Sequence, residues 1–383
     1  MCSDITIPMS SPPMSPQLSE MLSQREAPVG LKTRRQIIEH LMQQPHELTS
    51  QIQGDLGLLK YTQSHPGLSE TLRHLKGVIY EVSTGLLLAC GPVIPDDVHD
   101  LSEEQLRELL THHGQRLCFT EIIEGVQFRV YYYQGQWKIS TMGMLHPVRG
   151  FEGRRSFQDL FMETFESMGL TFEMLEVGKI YLFTLQHPEE PTTVDILHSR
   201  LYLMDVLNEE FESIKPMRCL RSDLYSICHS VLYLEGDSVM DFLKEVLTYQ
   251  PFNVRGFICE FGGYPHRRLR METESYRRLK DLKGNCPTPE LRYLQLWIEG
   301  RGLEKEFRST FPRYEARLKS LERRLHLLVN WITQKRLRRG QGSRSGVQLR
   351  DQLVTLQSSL QDVPEYLRGM GSIQLNDLLT TVK

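Results

Sequence analysis

The chain has 383 residues, of which 40% are hydrophobic and 24% are charged. This composition is typical of a globular protein with a sizeable core, and the length predicts two domains and a tail. The formal net charge of −3 excludes an overall nucleic-acid-binding signature, so any such surface must be local. No apolar run approaches the length of a membrane span and no signal sequence opens the chain, so no membrane partner is expected.

The seven cysteines are scattered and include no Cys-x-x-Cys pair. An odd and dispersed set predicts reduced thiols rather than a disulfide framework or a zinc site, so no metal centre is expected. Reduced thiols are typical of an intracellular protein. We therefore expect a cytoplasmic location, with the nucleus as an alternative.

Three segments of different character follow one another. Residues 1–30 contain a cluster of Pro, Met and Ser, which predicts a flexible tail. Residues 31–285 mix the strand and helix periodicities, which predicts an α+β domain, and residues 286–383 are predicted to be helical. The elements expected in the central segment are a helix within 31–49, strands within 78–144 with a hairpin at 133–137, and helices at 156–168 and 238–247.

The C-terminal segment carries leucines at three-and-four spacing. Leu318, Leu321, Leu325 and Leu328 repeat at this spacing, which places them on one face of a helix. The sequence therefore predicts an all-helical C-terminal domain over residues 286–383.

A short acidic motif precedes an alternating aromatic strand. Residues 120–125 read Thr-Glu-Ile-Ile-Glu-Gly, and residues 126–133 alternate as a strand does. This segment resembles the nucleophile strand of the covalent nucleotidyltransferases, whose form is roughly Ser-Glu-Lys-Leu-Asp-Gly-Ser. The position of the nucleophilic lysine is occupied by Ile122.

Other segments resemble the same group of enzymes in the same order along the chain. They lie at 75–89, 178–190, 201–208, 254–258 and 269–276. Taken together they resemble the bacteriophage T-even RNA ligase 1 family and its viral relatives, from about Leu58 to Asn285. The resemblance implies an ATP-dependent ligase-like antiparallel-sheet module, followed by a helical C-terminal domain that contacts RNA.

The charged positions of that family are altered throughout. In the family the strand lysine takes the AMP, and charged residues of the later segments hold the ribose, the phosphates and the metal. The altered positions are Ile122 for lysine, Met142 for a basic residue, Thr184 for glutamate, Arg255 for glutamate, and Arg270 and Glu272 for the lysines of the last motif. An isoleucine has no lone pair with which to attack phosphorus, so we expect a pseudoenzyme that needs no cofactor.

Two alternatives to this interpretation stay open. An active RNA ligase would require ATP, magnesium and a replacement nucleophile, for which Lys138 and Lys179 are the candidates. A structural or assembly protein could instead retain the fold for protein interaction alone. No other enzyme class has a motif in the sequence.

A dense cationic run lies on the predicted C-terminal helix. Such a run can neutralise phosphates without reading sequence, so we expect RNA or another nucleic acid to bind there, with a protein as the other possible partner. The candidate residues are Arg317, Lys319, Arg323, Arg324, Lys335, Arg336, Arg338 and Arg339.

Overall fold

A computed structural model describes the greater part of the chain. The described residues are 33–42, 48–61, 74–75, 77–102, 104, 106, 117–148, 155–189, 192–194, 196–214, 231–234, 244–245, 254–261, 264–286, 288–299 and 301–339. They divide into two compact units, Met1–Arg277 and Arg278–Lys383. The predicted tail at 1–30, most of the predicted helix at 238–247 and the segment beyond 339 lie outside the described residues.

The described part of the first unit starts with a helix and a small antiparallel sheet. The helix is α1 (Arg34–Met42), and the sheet has the strand order β1 (Leu48–Gln53), β2 (Leu56–Tyr61), β3 (Ile79–Glu81) and β4 (Leu87–Ala89). Ile38 of α1 is buried in the same core as Leu58 and Ile79. The hydrophobic positions of α1 recur at helical spacing, and this is the reason that its inner face can be buried there.

A second antiparallel sheet occupies the centre of this unit. Its strand order is β10 (Arg200–Leu207), β9 (Ile180–Gln186), β7 (Val126–Tyr133) and β8 (Gln136–Thr141). Both faces of β9 are buried. Ile180 and Leu182 belong to the core beneath α1, whereas Tyr181 and Phe183 belong to a separate aromatic core. Because side chains alternate along a strand, β9 contributes to two cores at once.

Helix α2 (Phe157–Ser167) covers the aromatic face of the central sheet. Its first turn is capped by Ser156, whose hydroxyl accepts a hydrogen bond from the backbone N–H of Asp159 at 3.0 Å. Phe161 is fully buried and its ring lies 4.8 Å from that of Phe128 on β7. The central sheet is therefore covered on this side, and Tyr131, Ile180 and Leu182 on its other face belong to the core beneath α1.

A third sheet completes the unit. Its strand order is β11 (Val231–Leu234), β6 (Leu117–Glu121), β12 (Gly256–Phe261), β13 (Tyr264–Glu272) and β5 (Asp96–Asp97). The pairings are antiparallel except for β13 with β5, which is parallel. Strand β6 leads through residues 122–125 directly into β7 of the central sheet. The chain thus crosses from one sheet to the other at the motif that carries Ile122.

Helix α3 (Glu274–Lys283) contains the division between the two units, which precedes the domain boundary expected after residue 285. The second unit continues with α4 (Pro289–Glu299), α5 (Leu303–Thr310) and α6 (Glu315–Arg339). Leu318, Leu321 and Leu325 of α6 are buried together, as their spacing predicts. No helix among the described residues of either unit is long and apolar enough to cross a membrane.

Candidate functional site

A cavity of about 520 Å³ is lined by residues of the central and third sheets. The segment between β6 and β7 forms part of its wall. Five of the altered motif positions line this cavity, and they are Ile122, Met142, Thr184, Arg255 and Arg270. The sixth, Glu272, is buried and contacts Arg255. The fold thus brings together positions that are far apart in the sequence.

Two glycines allow the backbones around Ile122 to approach closely. A Cβ added to Gly125 would lie 2.2 Å from the carbonyl oxygen of Leu185, and one added to Gly256 would lie 1.9 Å from that of Met271. No other residue type fits at such distances. The backbone N–H of Ile122 donates to the carbonyl oxygen of Gly256 at 2.8 Å. Position 122 is therefore fixed between the two sheets.

The two glutamates beside Ile122 differ in their surroundings. The carboxylate of Glu124 accepts hydrogen bonds from the backbone N–H groups of Thr193 and Val194, at 2.6 and 3.1 Å. Those bonds hold the loop after β9. Glu121 is half-buried, and its burial raises the pKa of its carboxyl group. Glu124 therefore serves the architecture of the loop.

Arg255 and Glu272 form an ion pair at the cavity. Nε and Nη2 of Arg255 lie 2.9 and 2.7 Å from Oε1 of Glu272, which is 2% exposed. The pair follows from the register of β12 and β13, in which Gly256 lies opposite Glu272. The resemblance implied an acid at 255 and a base at 272, so the two charge reversals compensate each other. The sequence analysis named both positions as altered but did not predict that they form a pair.

The two other arginines that line the cavity also face carboxylates. Nη2 of Arg270 lies 2.7 Å from Oδ2 of Asp97. Burial alone would raise the pKa of Asp97, but the hydrogen bonds from Arg270 and from the backbone of His99 hold it below its usual value. Nε of Arg268 lies 3.1 Å from Oε1 of Glu260, an ion pair whose angle falls outside hydrogen-bond geometry. All three arginines in this lining thus have a local countercharge.

A fourth arginine near this cavity is different, and the sequence analysis did not single it out. Arg129 on β7 is fully buried, and its Nη2 donates to the carbonyl oxygen of Thr141. Its Nε and Nη1 have no hydrogen-bond partner among the described residues. Burial lowers the pKa of Arg129 to about 10, which leaves the guanidinium charged near neutral pH. The only available signal was a charged residue within a strand whose other members, apart from Gln127, are apolar or aromatic.

The two alternative nucleophiles have partners of their own. Nζ of Lys138 on β8 donates to Oε1 of Gln136 at 3.0 Å, and Nζ of Lys179 lies 2.6 Å from a carboxylate oxygen of Glu176. Neither lysine lines the cavity, and no lysine is found among the described residues that do.

The residues present do not fit a bound ATP and magnesium. The described part of the chain holds no cluster of three or more His, Cys, Asp or Glu placed to bind a metal. The cavity arginines face carboxylates of the protein, and the described lining contains Ile122 and no lysine. A triphosphate needs cations that are not already paired, and each of the three arginines in this lining faces a carboxylate of the protein, so these arginines offer little to a triphosphate.

The cationic run of the C-terminal unit is partly committed to helix packing. Nε and Nη2 of Arg317 on α6 lie 2.7 and 2.8 Å from the two carboxylate oxygens of Glu290 on α4. Lys319 pairs with Glu315 at 3.2 Å on the same helix. The remaining members of the run on α6 are Arg323, Arg324, Lys335, Arg336, Arg338 and Arg339.

Comparison with solved structures finds a weak structural similarity to ligases. No protein-family model and no curated protein matches the chain. Among solved structures, a putative ATP-dependent DNA ligase from Aquifex aeolicus is 17% identical with a TM-score of 0.42, over 72% of this chain and 70% of that one. An RNA ligase from Naegleria gruberi solved with PPi is 12% identical with a TM-score of 0.36, over 50% of this chain and 58% of that one. Likeness of this degree does not by itself establish a common fold or activity.

Proposed function

We propose that this chain is an RNA-ligase-like protein that has lost the lysyl-adenylate reaction and retains a nucleic-acid-binding role. The observation that carries the proposal is Ile122. It occupies the expected nucleophile position inside a cavity whose described lining contains no lysine. Covalent catalysis needs the activated nucleophile itself, and an alkyl side chain cannot replace it. The specific relation to the T-even phage ligases, and a viral origin, stay predictions.

The charges of the cavity support the same proposal. Arg255 and Arg270 are held by Glu272 and Asp97, so their charge is largely compensated before any ligand arrives. Phosphoryl transfer depends on uncompensated positive charge that is positioned around the phosphates. A set of arginines that neutralises the protein's own carboxylates stabilises the fold instead of a transferring phosphate.

Labelled ATP tests the loss of chemistry directly. Purified protein is incubated with magnesium and ATP labelled at the α-phosphate, then denatured and examined for covalent label. We expect none, because the cavity offers no amine. A parallel sample of the double variant Lys138→Arg with Lys179→Arg serves as the matched control. A stable label on the wild type that this variant loses would favour the active ligase and contradict the proposal.

Salt-dependent binding tests the retained role. If α6 holds nucleic acid, affinity for single-stranded RNA should fall steeply as salt rises, because neutralised phosphates release counterions. Reversal of Lys335, Arg336, Arg338 and Arg339 to Glu should weaken binding at least tenfold and flatten the salt slope.

The matched control reverses four exposed cations elsewhere, Arg277, Lys280, Arg301 and Lys305, which changes the net charge by the same amount. This control should keep more of the affinity than the α6 variant at every salt concentration. Equal loss in both variants, or no binding by the wild type at low salt, would contradict a nucleic-acid site on α6. That result would favour a protein partner and the structural alternative.

A further inference from the structure

Three buried side chains on the central sheet carry polar atoms that have no hydrogen-bond partner in the described part of the chain. Arg129 and Ser140 are 0% exposed and Thr184 is 1% exposed, which leaves essentially no contact with solvent. Nε and Nη1 of Arg129 and the hydroxyl oxygens of Ser140 and Thr184 have no hydrogen-bond partner among the described residues. Most buried polar groups in proteins are paired, so three orphaned groups in one place require a reason.

The strand register places these groups on one face of the sheet. Arg129 lies opposite Ser140 on β8 and opposite Leu182 on β9, and Gln127 lies opposite Thr184. Residues that lie opposite each other share a face, with Cβ atoms about 5 Å apart, and diagonal neighbours are about 7 Å apart. This is the face that contributes Leu182 and Thr184 to the cavity wall. The three groups therefore converge beside the cavity.

We propose that Arg129, Ser140 and Thr184 form a binding site for a tetrahedral oxyanion of the phosphate class beside this cavity, with Thr184 as the member that lines it. The site lies outside the altered motif positions, apart from Thr184, and requires neither a metal nor a covalent step. It extends beyond the nucleic-acid-binding role proposed above and stands independently of it.

The chemistry of the three groups matches an oxyanion. A guanidinium supplies charge and several N–H donors, and hydroxyls rotate to donate to whichever oxygen is presented. Burial lowers the pKa of Arg129, and the groups that oppose this shift are the Tyr131 phenol and the Cys90 thiol. No carboxylate is among the groups that shift the pKa of Arg129. In this respect Arg129 differs from Arg255, Arg268 and Arg270, each of which already has a countercharge.

Met142 provides the route of entry. A Cβ added to Gly77 would lie 3.0 Å from Nη1 of Arg129 and 3.4 Å from the sulfur of Met142, so these groups meet at one point. Met142 also lines the cavity. Its side chain is unbranched and changes rotamer easily. Rotation of this side chain exposes the guanidinium to an anion in the cavity without movement of either sheet.

The test measures the thermal midpoint of the full chain in inorganic phosphate against sodium chloride of equal ionic strength. A ligand that binds only the folded state raises this midpoint in proportion to occupancy. We expect phosphate to raise the midpoint of the wild type, with chloride producing a much smaller change. Arg129→Met should abolish the difference between the two salts. Arg277→Met, which removes an exposed arginine, should respond like the wild type.

Thr184→Val is the second variant, and it removes only a hydroxyl group that has no hydrogen-bond partner among the described residues. It keeps the proposal testable if Arg129→Met fails to fold. Its phosphate affinity, measured by calorimetry, should fall by roughly threefold to tenfold. A 5′-phosphorylated oligonucleotide, compared with its 5′-hydroxyl counterpart, then distinguishes a nucleic-acid end from free phosphate as the source of the anion. An identical response of the wild type to phosphate and chloride, or undiminished phosphate binding by the variants, would overturn the proposal.

Discussion

The two walls of the cavity use arginine in opposite ways. On the third sheet, Arg255, Arg268 and Arg270 each face a carboxylate of the protein. On the central sheet, Arg129 is more deeply buried than any of them and yet faces none. The charges of the first wall are paired within the protein, whereas the anion proposed above would supply the countercharge at the second. All four arginines lie at or near the cavity, and the presence of a protein carboxylate is what distinguishes three of them from Arg129.

The paired and unpaired arginines also differ in the free energy that their burial costs. A buried pair gains Coulombic attraction that offsets part of its desolvation, but a buried charge without a partner bears the whole penalty. Removing one member of a pair therefore leaves the other uncompensated. Removing an unpaired charge relieves the penalty. The two walls should respond with opposite signs when a charge is deleted.

The largest effect is expected at the paired wall. Glu272→Gln leaves the guanidinium of Arg255 beside a buried neutral amide, and we expect it to cost about 2–3 kcal/mol of unfolding free energy in a urea titration. Glu274→Gln, which changes an exposed carboxylate two residues away, should cost less than about 0.5 kcal/mol. Similar losses in both variants would mean that the pair contributes nothing specific.

The unpaired wall should show the reverse. Arg129→Met replaces a buried charge with an apolar side chain of similar length, so in phosphate-free buffer stability should be unchanged or higher by about 1–2 kcal/mol. Urea unfolding with and without phosphate provides the measurement. A loss of more than about 2 kcal/mol without phosphate would show that Arg129 has a countercharge after all, and the contrast between the walls would disappear.

Ile122→Lys tests whether an amine at this position is sufficient for a covalent reaction with ATP. Ile122 is half-buried, so the ammonium of a lysine at this position would reach partly into solvent. The substitution should therefore lower the free energy of unfolding by about 1 kcal/mol. We expect no covalent label from ATP, because an unassisted amine lacks the positioning that phosphoryl transfer needs. Recovery of label in this single variant would show that the paired arginines still permit catalysis.

The smallest effect is a pH dependence of the Asp97–Arg270 pair. The pKa of Asp97 is lowered in the folded state, so the pair stabilises the protein above the unfolded-state pKa of about 4 and this contribution is lost as pH falls through the folded value. Asp97→Asn should cost about 0.5 kcal/mol at pH 6, because the pair is partly exposed. The difference from the wild type should vanish near pH 2. A difference that persists at that pH would have a non-electrostatic origin.

Local sequence signals were sufficient to predict several elements of secondary structure. The hairpin predicted at 133–137 is present between β7 and β8, with Gln134 and Gly135 at φ values of 48° and 77° in its turn. The helix predicted at 156–168 is present as α2, because its aromatic residues recur at helical spacing. In each case the signal and the element lie within a dozen residues of each other.

The ion pairs could not be predicted from local sequence signals. Arg255 and Glu272 are neighbours only through the register of β12 and β13, and Asp97 meets Arg270 across 173 positions of chain. Sequence analysis did not single out Arg129, because alternation along β7 shows only that successive side chains lie on opposite faces of the strand. It does not show that both faces of this central strand are buried.

The interchange at positions 255 and 272 also constrains how the sequence can change. Arg255→Glu alone would place two carboxylates against each other in a buried site, and Glu272→Lys alone would place two cations there. Either single step passes through a repulsive intermediate, and only the double replacement reaches the arrangement with the opposite polarity. A reversal of polarity at this pair is therefore hindered by epistasis between two sites that are adjacent in space and 17 residues apart in the chain.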